Sequence, residues 1–259
     1  MMSDFGPVLK EIRLSLGLSQ ASCAATLQST QRHISFLETG RSQPSPGFVA
    51  RICRELGLSI AQRAALFESA GLQNPYVRRS MQSDDVQRAL DLIAAQVLDH
   101  WPFPALVMDR HWTILRANEQ FINVFSSVLP AGNTAPNLID VMLSPAFLPM
   151  ITNWHMAAAT FYFRLQRGAA QSTQVAERFR KARAGGLFDL VERELIQGAD
   201  VPPMVPIELT LPNGAQVRLT SLIGHLAGCQ DAAMEGCEVE LIVPFDDTSE
   251  TVLRDRTRH

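Results

Sequence analysis

Residues 28–41, Gln-Ser-Thr-Gln-Arg-His-Ile-Ser-Phe-Leu-Glu-Thr-Gly-Arg, contain the pattern of one short helix with two different faces. Thr30 is a residue type that caps helix N-termini, and Gly40 is a type that ends helices. Ile34 and Leu37 lie three residues apart and fall on one apolar side. The pattern therefore predicts a helix over residues 31–38 that is anchored from behind and leaves its polar front open.

The segments on both sides of this stretch predict further short helices, so residues 5–70 form an all-α unit. Gly17 ends a first helix, Ser19 caps a second, Ser45 and Pro46 begin a fourth, and Ser59 begins a fifth that stops at Gly71. The expected inward-facing residues recur at helical spacing: Val8, Leu9, Ile12, Leu16, Ala21, Ala24, Leu27, Val49, Ile52, Cys53, Leu56, Ala64, Leu66, Phe67 and Ala70.

The charge of the chain is unevenly distributed. The formal net charge is −3, but residues 1–80 carry +4 and residues 81–259 carry −7. A basic N-terminal part joined to an acidic body is the distribution expected of a nucleic-acid-binding domain attached to a different module.

The front of the predicted 31–38 helix carries side chains suited to base edges. Gln31 can pair with adenine, Arg32 with guanine, and Phe36 can contact a thymine methyl group. Gln20, in the first turn of the preceding helix, and Arg41, after the 31–38 helix, are placed to contact the phosphate backbone. The candidate DNA-binding residues are Gln20, Thr30, Gln31, Arg32, His33, Ser35, Phe36 and Arg41.

This part of the chain resembles the Xre/Cro-repressor family of helix-turn-helix regulators. The resemblance covers about residues 5–58 and rests on Leu18-Ser19-Gln20, Ala24, residues 34–41 and Pro44-Ser45. It implies operator binding through Gln20, Gln31, Arg32 and Ser35. Two residues depart from the family pattern: Gln28 stands where glycine is usual, and Phe36 stands where many members have a polar residue.

The remainder of the chain predicts an α+β domain. Strands are expected at Pro104–Asp109, Trp112–Asn118, Pro206–Leu211, Gln216–Leu222 and Glu238–Pro244, with an Asn213-Gly214 hairpin turn between the third and fourth. Helices are expected at residues 84–100, 119–129, 145–152, 153–183 and 187–196. The fold class is therefore an all-α helix-turn-helix head followed by an antiparallel sheet with inserted helices. The expected domains are 1–72 for the head, 73–83 for a linker, 84–252 for the second domain and 253–259 for a tail.

The second domain is rich in large apolar side chains, which predict a ligand pocket between sheet and helices. The candidate ligand-binding residues are Phe121, Phe125, Phe147, Trp154, Phe161 and Leu165. Core packing is the alternative for each of them. Asp109 and Asn118 are expected to cap a strand turn and a helix, respectively.

Residues 84–252 resemble the PAS-like ligand-binding domain of MmyB-like regulators. The resemblance is strongest at Asp109, Trp112, Asn118, Asn153 and Trp154, and it weakens over residues 220–237. It implies a pocket for a small apolar, fatty-acid-like ligand.

The sequence contains no metal-ligand cluster, phosphate-binding glycine loop or nucleophile elbow, so neither cofactor nor metal nor catalysis is expected. Neither a signal peptide nor a membrane-spanning run is apparent, which predicts a cytoplasmic protein. The expected partners are double-stranded operator DNA, a small apolar ligand and a second copy of the chain in a homodimer. Two other classes remain open: a protein-interaction adaptor whose head does not bind DNA, and an enzyme in the second domain. Lone cysteines such as Cys229 and Cys237 are expected to be structural, with redox sensing as the alternative.

Overall fold

The computed structural model describes residues 5–75, 79–130, 132, 135–196, 204–226, 231 and 233–256. The chain divides into two compact units, Met1–Val86 with Gly228–Glu235, and Gln87–Ala227 with Gly236–His259. The first unit contains the helical head and the second contains the sheet domain. Residues 76–78 of the predicted linker, residues 257–259 of the predicted tail, and Cys229 lie outside the described residues.

The helical head is built from short helices with side-chain caps. Its helices are α1 (Phe5–Ser15), α2 (Gln20–Thr26), α3 (Gln31–Glu38), α4 (Pro46–Glu55) and α5 (Ile60–Ser69). A side-chain oxygen accepts a first-turn backbone N–H at the start of each of α2 to α5, and the capping residues are Ser19, Thr30, Ser45 and Ser59. The predicted caps and the predicted 31–38 helix are thereby confirmed.

The core of the head follows the predicted helical periodicity with two exceptions. Ile34 and Leu37 are at most 1% exposed, so α3 is anchored as expected. Leu16 is 42% exposed, because α1 ends at Ser15 and Leu16 lies in the turn beyond it. Ala21 is also exposed, because the buried face of α2 contains Cys23 and Ala24 instead.

Cys23 and Cys53 are packed thiols of this core. Both side chains are buried. Burial raises the pKa of each thiol above its ordinary value, which disfavours the reactive thiolate. This agrees with the structural role expected for them.

The turn between α2 and α3 contains a residue in the left-handed backbone region. Gln28 has a φ of +49°, and it stands where the helix-turn-helix family that the sequence resembles usually has glycine. A side chain in this region costs roughly 1–2 kcal/mol, a cost that glycine avoids.

The sheet domain contains one antiparallel sheet in the order β2-β1-β5-β4-β3 within the described residues. Its strands are β1 (Ala105–Met108), β2 (Ile114–Ala117), β3 (Ile207–Thr210), β4 (Gln216–His225) and β5 (Glu238–Pro244). Each neighbouring pair is antiparallel. Gly214, with a φ of +82°, lies in the turn that joins β3 to β4, which confirms the predicted hairpin. The PAS-like α+β fold class is confirmed.

Helices precede, interrupt and follow the strands of the sheet domain. The domain begins with α6 (Asp84–Ile93), which continues as a π-helical turn at Ala94–Leu98. Between β2 and β3 lie α7 (Glu119–Phe125), α8 (Leu138–Met142), α9 (Trp154–Ala169), α10 (Thr173–Ala184) and α11 (Asp189–Ile196). After β5 comes α12 (Asp247–Arg256). Helices α7, α8 and α9 supply residues that face the inner side of the sheet.

Several predicted helices differ from the observed ones. The expected helix at 145–152 is reduced to a 3-10 turn at Leu148–Met150, where Pro149 lacks the N–H that an α-helix needs. The expected helix at 153–183 is two helices, because Ser172 caps a new one by accepting the Val175 N–H. Helices α8 and α12 were not expected. Helix α12 extends into the segment expected as a tail, and Leu253 is buried there.

Asp109 and Asn118 have the predicted structural roles. The Asp109 carboxylate accepts the N–H groups of His111 at 2.8 Å and Thr113 at 2.9 Å, which closes the turn between β1 and β2. Asn118 is 1% exposed and accepts the Phe121 N–H at the start of α7. Its amide also donates to backbone carbonyls that precede β1, so it joins the entry of the domain to its first strands.

Candidate nucleic-acid interface and ligand cavity

Helix α3 presents its polar front to solvent. Gln31 and Arg32 are exposed, while Ser35 is half-buried and its carbonyl accepts the Thr39 hydroxyl at 2.7 Å. The Thr30 hydroxyl accepts the His33 N–H and thereby orients the first turn. These side chains stand on a helix whose back is fully buried, so their positions are set by packing.

Phe36 is half-buried beneath two cations. The guanidinium of Arg32 lies 5.0 Å from the centre of the Phe36 ring, and that of Arg41 lies 5.9 Å from it. Such cation–π contacts are worth roughly 0.5–1 kcal/mol each at exposed sites. The ring therefore groups two exposed arginines at the front of α3, where the predicted phosphate and base contacts lie.

His33 is held at the edge of this surface. Its Nδ1 lies 2.8 Å from the Ser29 hydroxyl, and its ring centre lies 4.8 Å from that of Phe48. The adjacent Arg51 guanidinium lies 5.9 Å from the Phe48 ring centre. His33 thus connects α3 to α4 and has a packing role.

Gln20 belongs to a buried polar network behind α3. Its Nε2 donates to the Glu38 carboxylate at 2.8 Å, and Arg13 donates to the two oxygens of the same carboxylate at 2.6 and 3.0 Å. Arg13 also donates to the carbonyl of Leu18 at 2.7 Å. The network joins α1, the start of α2 and the end of α3, so in this structure Gln20 acts as a positioning residue.

The protonation state of Glu38 follows from this network. Burial alone would raise the pKa of the carboxyl group, but hydrogen bonds from Arg13 and Gln20 and the charge of Arg13 outweigh burial and hold the pKa below its usual range. Glu38 is therefore ionised at neutral pH.

The sheet domain contains an apolar cavity of about 860 Å³, which includes space open to solvent. The cavity lies between the inner face of the sheet and α7, α8 and α9. Its lining is Leu106, Phe121, Phe125, Leu138, Val141, Met142, Phe147, Thr160, Phe161, Arg164, Val205, Ile207, Leu209, Leu219, Thr220, Ser221, Glu240 and Ile242.

The structure brings most of the predicted ligand-binding residues together. Phe121, Phe125, Phe147 and Phe161 line the cavity. Trp154 and Leu165 lie outside the lining: the Trp154 ring centre is 5.5 Å from that of Phe161, and Leu165 is fully buried in the core. These two residues match the packing alternative, since Leu165 belongs to the buried core of the sheet domain and Trp154 packs against that core.

No sequence pattern identified the charged residues of the cavity, Arg164 and Glu240. Arg164 donates to the two carboxylate oxygens of Glu240 at 2.9 and 2.6 Å, and its guanidinium lies 4.5 Å from the centre of the Trp112 ring. The Glu240 side chain is 7% exposed and that of Arg164 is 20% exposed. Neither residue belongs to a recognisable motif, and the 76 residues that separate them in sequence hide the pairing.

Other kinds of site find no support in the described parts of the chain. No group of three or more His, Cys, Asp or Glu side chains is placed there to share a metal ion. Of the helices in those same ranges, none is both long enough and apolar enough to cross a bilayer.

Two family models match the chain. A helix-turn-helix domain matches residues 4–66, and the MmyB-like transcription regulator ligand binding domain matches residues 93–189. Together the two matches support a DNA-binding transcription regulator of the helix-turn-helix class. The head thus matches a helix-turn-helix domain and the sheet domain matches the ligand-binding domain of MmyB-like regulators, in agreement with the residue patterns. Both matched families are regulatory, which points to a non-enzyme.

Comparisons with whole proteins add little to this assignment. None of the curated proteins matches the chain. A solved structure of an RNA-binding light-oxygen-voltage receptor is 12% identical, with a TM-score of 0.28. The match covers 99% of this chain and 63% of that one. A similarity this low supports no argument about function.

Proposed function

We propose that this protein binds operator DNA through the front of α3 and that a small hydrophobic ligand in the sheet-domain cavity changes its operator affinity. The observation that carries the proposal is the cavity itself, which is apolar along most of its lining and lies next to strands β4 and β5. The ligand is fatty-acid-like in having a long apolar chain. We place the protein in the cytoplasm, where its DNA target lies.

Support for sequence-specific binding comes from the front of α3. Gln31 and Arg32 are exposed on a helix with a buried back, and Arg41 adds a second cation beside Arg32. In a homodimer, two such helices would contact half-sites about 34 Å apart, one turn of the DNA helix.

Support for coupling comes from the connection between β4 and β5. Both strands belong to the sheet domain, but residues 228–235 between them belong to the compact unit of the head. There the Glu235 carboxylate accepts the N–H groups of Ile60 at 2.6 Å and Ala61 at 3.0 Å, at the start of α5. A carboxylate at a helix N-terminus is stabilising. Ligand-dependent movement of β5 would therefore be transmitted through residues 236–237 to Glu235, which is hydrogen-bonded to the start of α5.

The DNA-binding part of the proposal is tested by gel shift on the DNA upstream of the protein's own gene. Arg32→Ala should weaken operator binding by roughly 1–3 kcal/mol and relax sequence preference. Arg54→Ala is the matched control, because Arg54 is also an exposed arginine of the head but lies at the end of α4. Equal affinity and preference for wild type and Arg32→Ala would contradict the assignment. Binding that hardly depends on salt would favour the adaptor class instead.

The ligand part is tested by measuring operator affinity with and without n-decanol. Ser221→Trp should abolish the response, because Ser221 lines the cavity and a large ring would fill it. Leu222→Trp is the matched control, since Leu222 is the next residue of β4 and is 61% exposed. Operator affinity that stays constant while n-decanol is bound would contradict ligand control. Native mass spectrometry would report the oligomeric state and any retained ligand in the same measurement.

A further inference from the structure

The buried ion pair at the cavity carries an inference about the head group of the ligand. Glu240 and Arg164 are the charged members of the cavity lining. Nη1 and Nη2 of Arg164 each donate a hydrogen bond to one carboxylate oxygen of Glu240. The cavity is thus electrically neutral before any ligand enters.

Glu240 lines the cavity because the side chains of β5 alternate between the two faces of the sheet. Residues 240 and 242 of β5 line the cavity, whereas Val239 and Leu241 lie along a groove with Val97 and Leu222. Because successive side chains of a strand point to opposite faces, Glu240 is on the same face as Ile242. A carboxylate on an otherwise apolar inner face is costly unless it is paired, and Arg164 supplies the pairing.

Arg164 is itself held in place. It lies on α9 one helical turn after Thr160, and its guanidinium lies 4.5 Å from the Trp112 ring centre. Trp112 has a φ of +66°, a left-handed conformation that bulky residues rarely adopt. The turn formed by Asp109 and the burial of the ring maintain this conformation, so the cation has a fixed position.

A ligand with an ionised carboxylate would disturb this balance. It would either remain unpaired in the cavity or displace Glu240 from Arg164, and a displaced Glu240 would be left as a buried carboxylate without a counter-charge. Either course opposes binding. A hydroxyl, ester or amide head brings no charge and can hydrogen-bond to the hydroxyl side chains in the same lining, Thr160, Thr220 and Ser221.

We propose that the cavity selects apolar molecules with an uncharged polar head, such as fatty alcohols or acyl esters, over free fatty acids, and that Glu240 is the residue that sets this selectivity. This inference rests on the proposed function, and it specifies the chemical class of the ligand.

The test compares n-decanol, methyl decanoate and decanoate, which share one acyl chain length and differ in the head. Binding to the full-length protein at neutral pH is measured by titration calorimetry. Wild type should bind n-decanol and methyl decanoate at least about tenfold more tightly than decanoate. A tenfold difference in Kd corresponds to about 1.4 kcal/mol of binding free energy. Glu240→Gln should reverse the preference, because Arg164 can then pair with the decanoate carboxylate.

Glu238→Gln is the matched control. It removes the same charge from the same strand, but Glu238 is not part of the cavity lining and faces His225 at 3.9 Å. Its preference should equal that of wild type. If Glu240→Gln did not fold, binding of the three probes to wild type would still test the preference for an uncharged head group.

The outcomes separate this inference from the proposed function. Decanoate bound by wild type as tightly as n-decanol, with operator affinity responding to either, would overturn the neutral-head inference and leave ligand control intact. Failure of every probe to bind would overturn both.

Discussion

The protein contains two arginine–glutamate pairs that are each joined by two hydrogen bonds and that differ in their surroundings. Arg13 and Glu38 in the head are joined at 2.6 and 3.0 Å, and Arg164 and Glu240 in the sheet domain at 2.9 and 2.6 Å. The Arg13 side chain is 7% exposed, whereas that of Arg164 is 20% exposed and borders a cavity. The head pair also receives Gln20 as a third partner.

This difference separates a structural ion pair from one available to a ligand. In the head every partner is protein, so breaking the pair leaves a charge with nothing to replace its partner. In the sheet domain, water or a ligand head group can reach the pair through the cavity. An arginine–glutamate pair therefore holds α3 in position in one domain, and in the other it is the group that we propose selects the ligand.

The largest effect is expected from breaking the head pair. Glu38→Gln should lower the free energy of unfolding of the head by about 3–5 kcal/mol, because Arg13 then stays buried without a counter-charge. Hydrogen exchange of the α3 amides in the full chain measures this. Replacing both partners with apolar residues, as in Arg13→Met with Glu38→Leu, should recover much of the loss.

The same pair predicts acid sensitivity of the head. The folded-state pKa of Glu38 lies below its unfolded value, so the stabilisation is present above the unfolded pKa and is lost as pH falls through the folded pKa. A stability profile of the head against pH should therefore fall on the acid side of about 4.3, and Glu38→Gln should flatten it. An unchanged slope in the variant would assign the acid transition to other groups.

Breaking the Arg164–Glu240 pair should lower the free energy of unfolding by less than breaking the Arg13–Glu38 pair. Glu240→Gln should destabilise the sheet domain by about 1.5 kcal/mol, because the cavity lets water solvate Arg164. Hydrogen exchange of the β5 amides, under the same conditions as for the α3 amides, measures this loss of stability. Equal losses in Glu38→Gln and Glu240→Gln would show that the cavity gives the second pair no access to solvent and would remove the distinction drawn between them.

Added methyl groups should be tolerated differently in the two domains. A Cβ at Gly6 would lie 2.5 Å from the carbonyl oxygen of Glu38 and 2.7 Å from that of Leu37, so Gly6→Ala should cost about 1–3 kcal/mol and displace the end of α3. At Gly168 the nearest atoms, at 3.1 and 3.3 Å, belong to the side chains of Val175 and Trp112, so a Cβ there would require displacements of only a few tenths of an ångström. Gly168→Ala should be close to neutral, and thermal denaturation of both variants tests this. A Gly6→Ala variant as stable as wild type would contradict the close approach of α1 to α3.

The smallest effect is expected in the turn before α3. Gln28→Gly should stabilise the head by about 0.5 kcal/mol, because relief of the left-handed strain exceeds the added entropy of the unfolded chain. Urea denaturation checks the sign. Gln31→Gly is the control, since Gln31 begins α3 and glycine there should destabilise. A destabilised Gln28→Gly would show that the side chain of Gln28 makes a stabilising contact.

The sequence by itself determined the head almost completely. Its helices are short, α2 to α5 begin at a capping hydroxyl, and a glycine follows α1, α3, α4 and α5. Its core spacing is also local, so residues within a few positions of one another carry the information. The same local signals identified the Asn213-Gly214 hairpin and the caps Asp109 and Asn118. The DNA-binding roles of Gln31, Arg32 and Ser35 on α3 stay predictions.

Only the tertiary structure decided which side chains meet in the cavity. The alternation in β5 would by itself turn Val239, Leu241 and Val243 inward, yet Glu240 and Ile242 line the cavity. Pairing of Leu106 with Glu240 across β1 and β5 fixes this register, and α9 supplies Arg164 as the partner. Such contacts join residues far apart in sequence, and their energies depend on burial and geometry that exist only after the chain has folded.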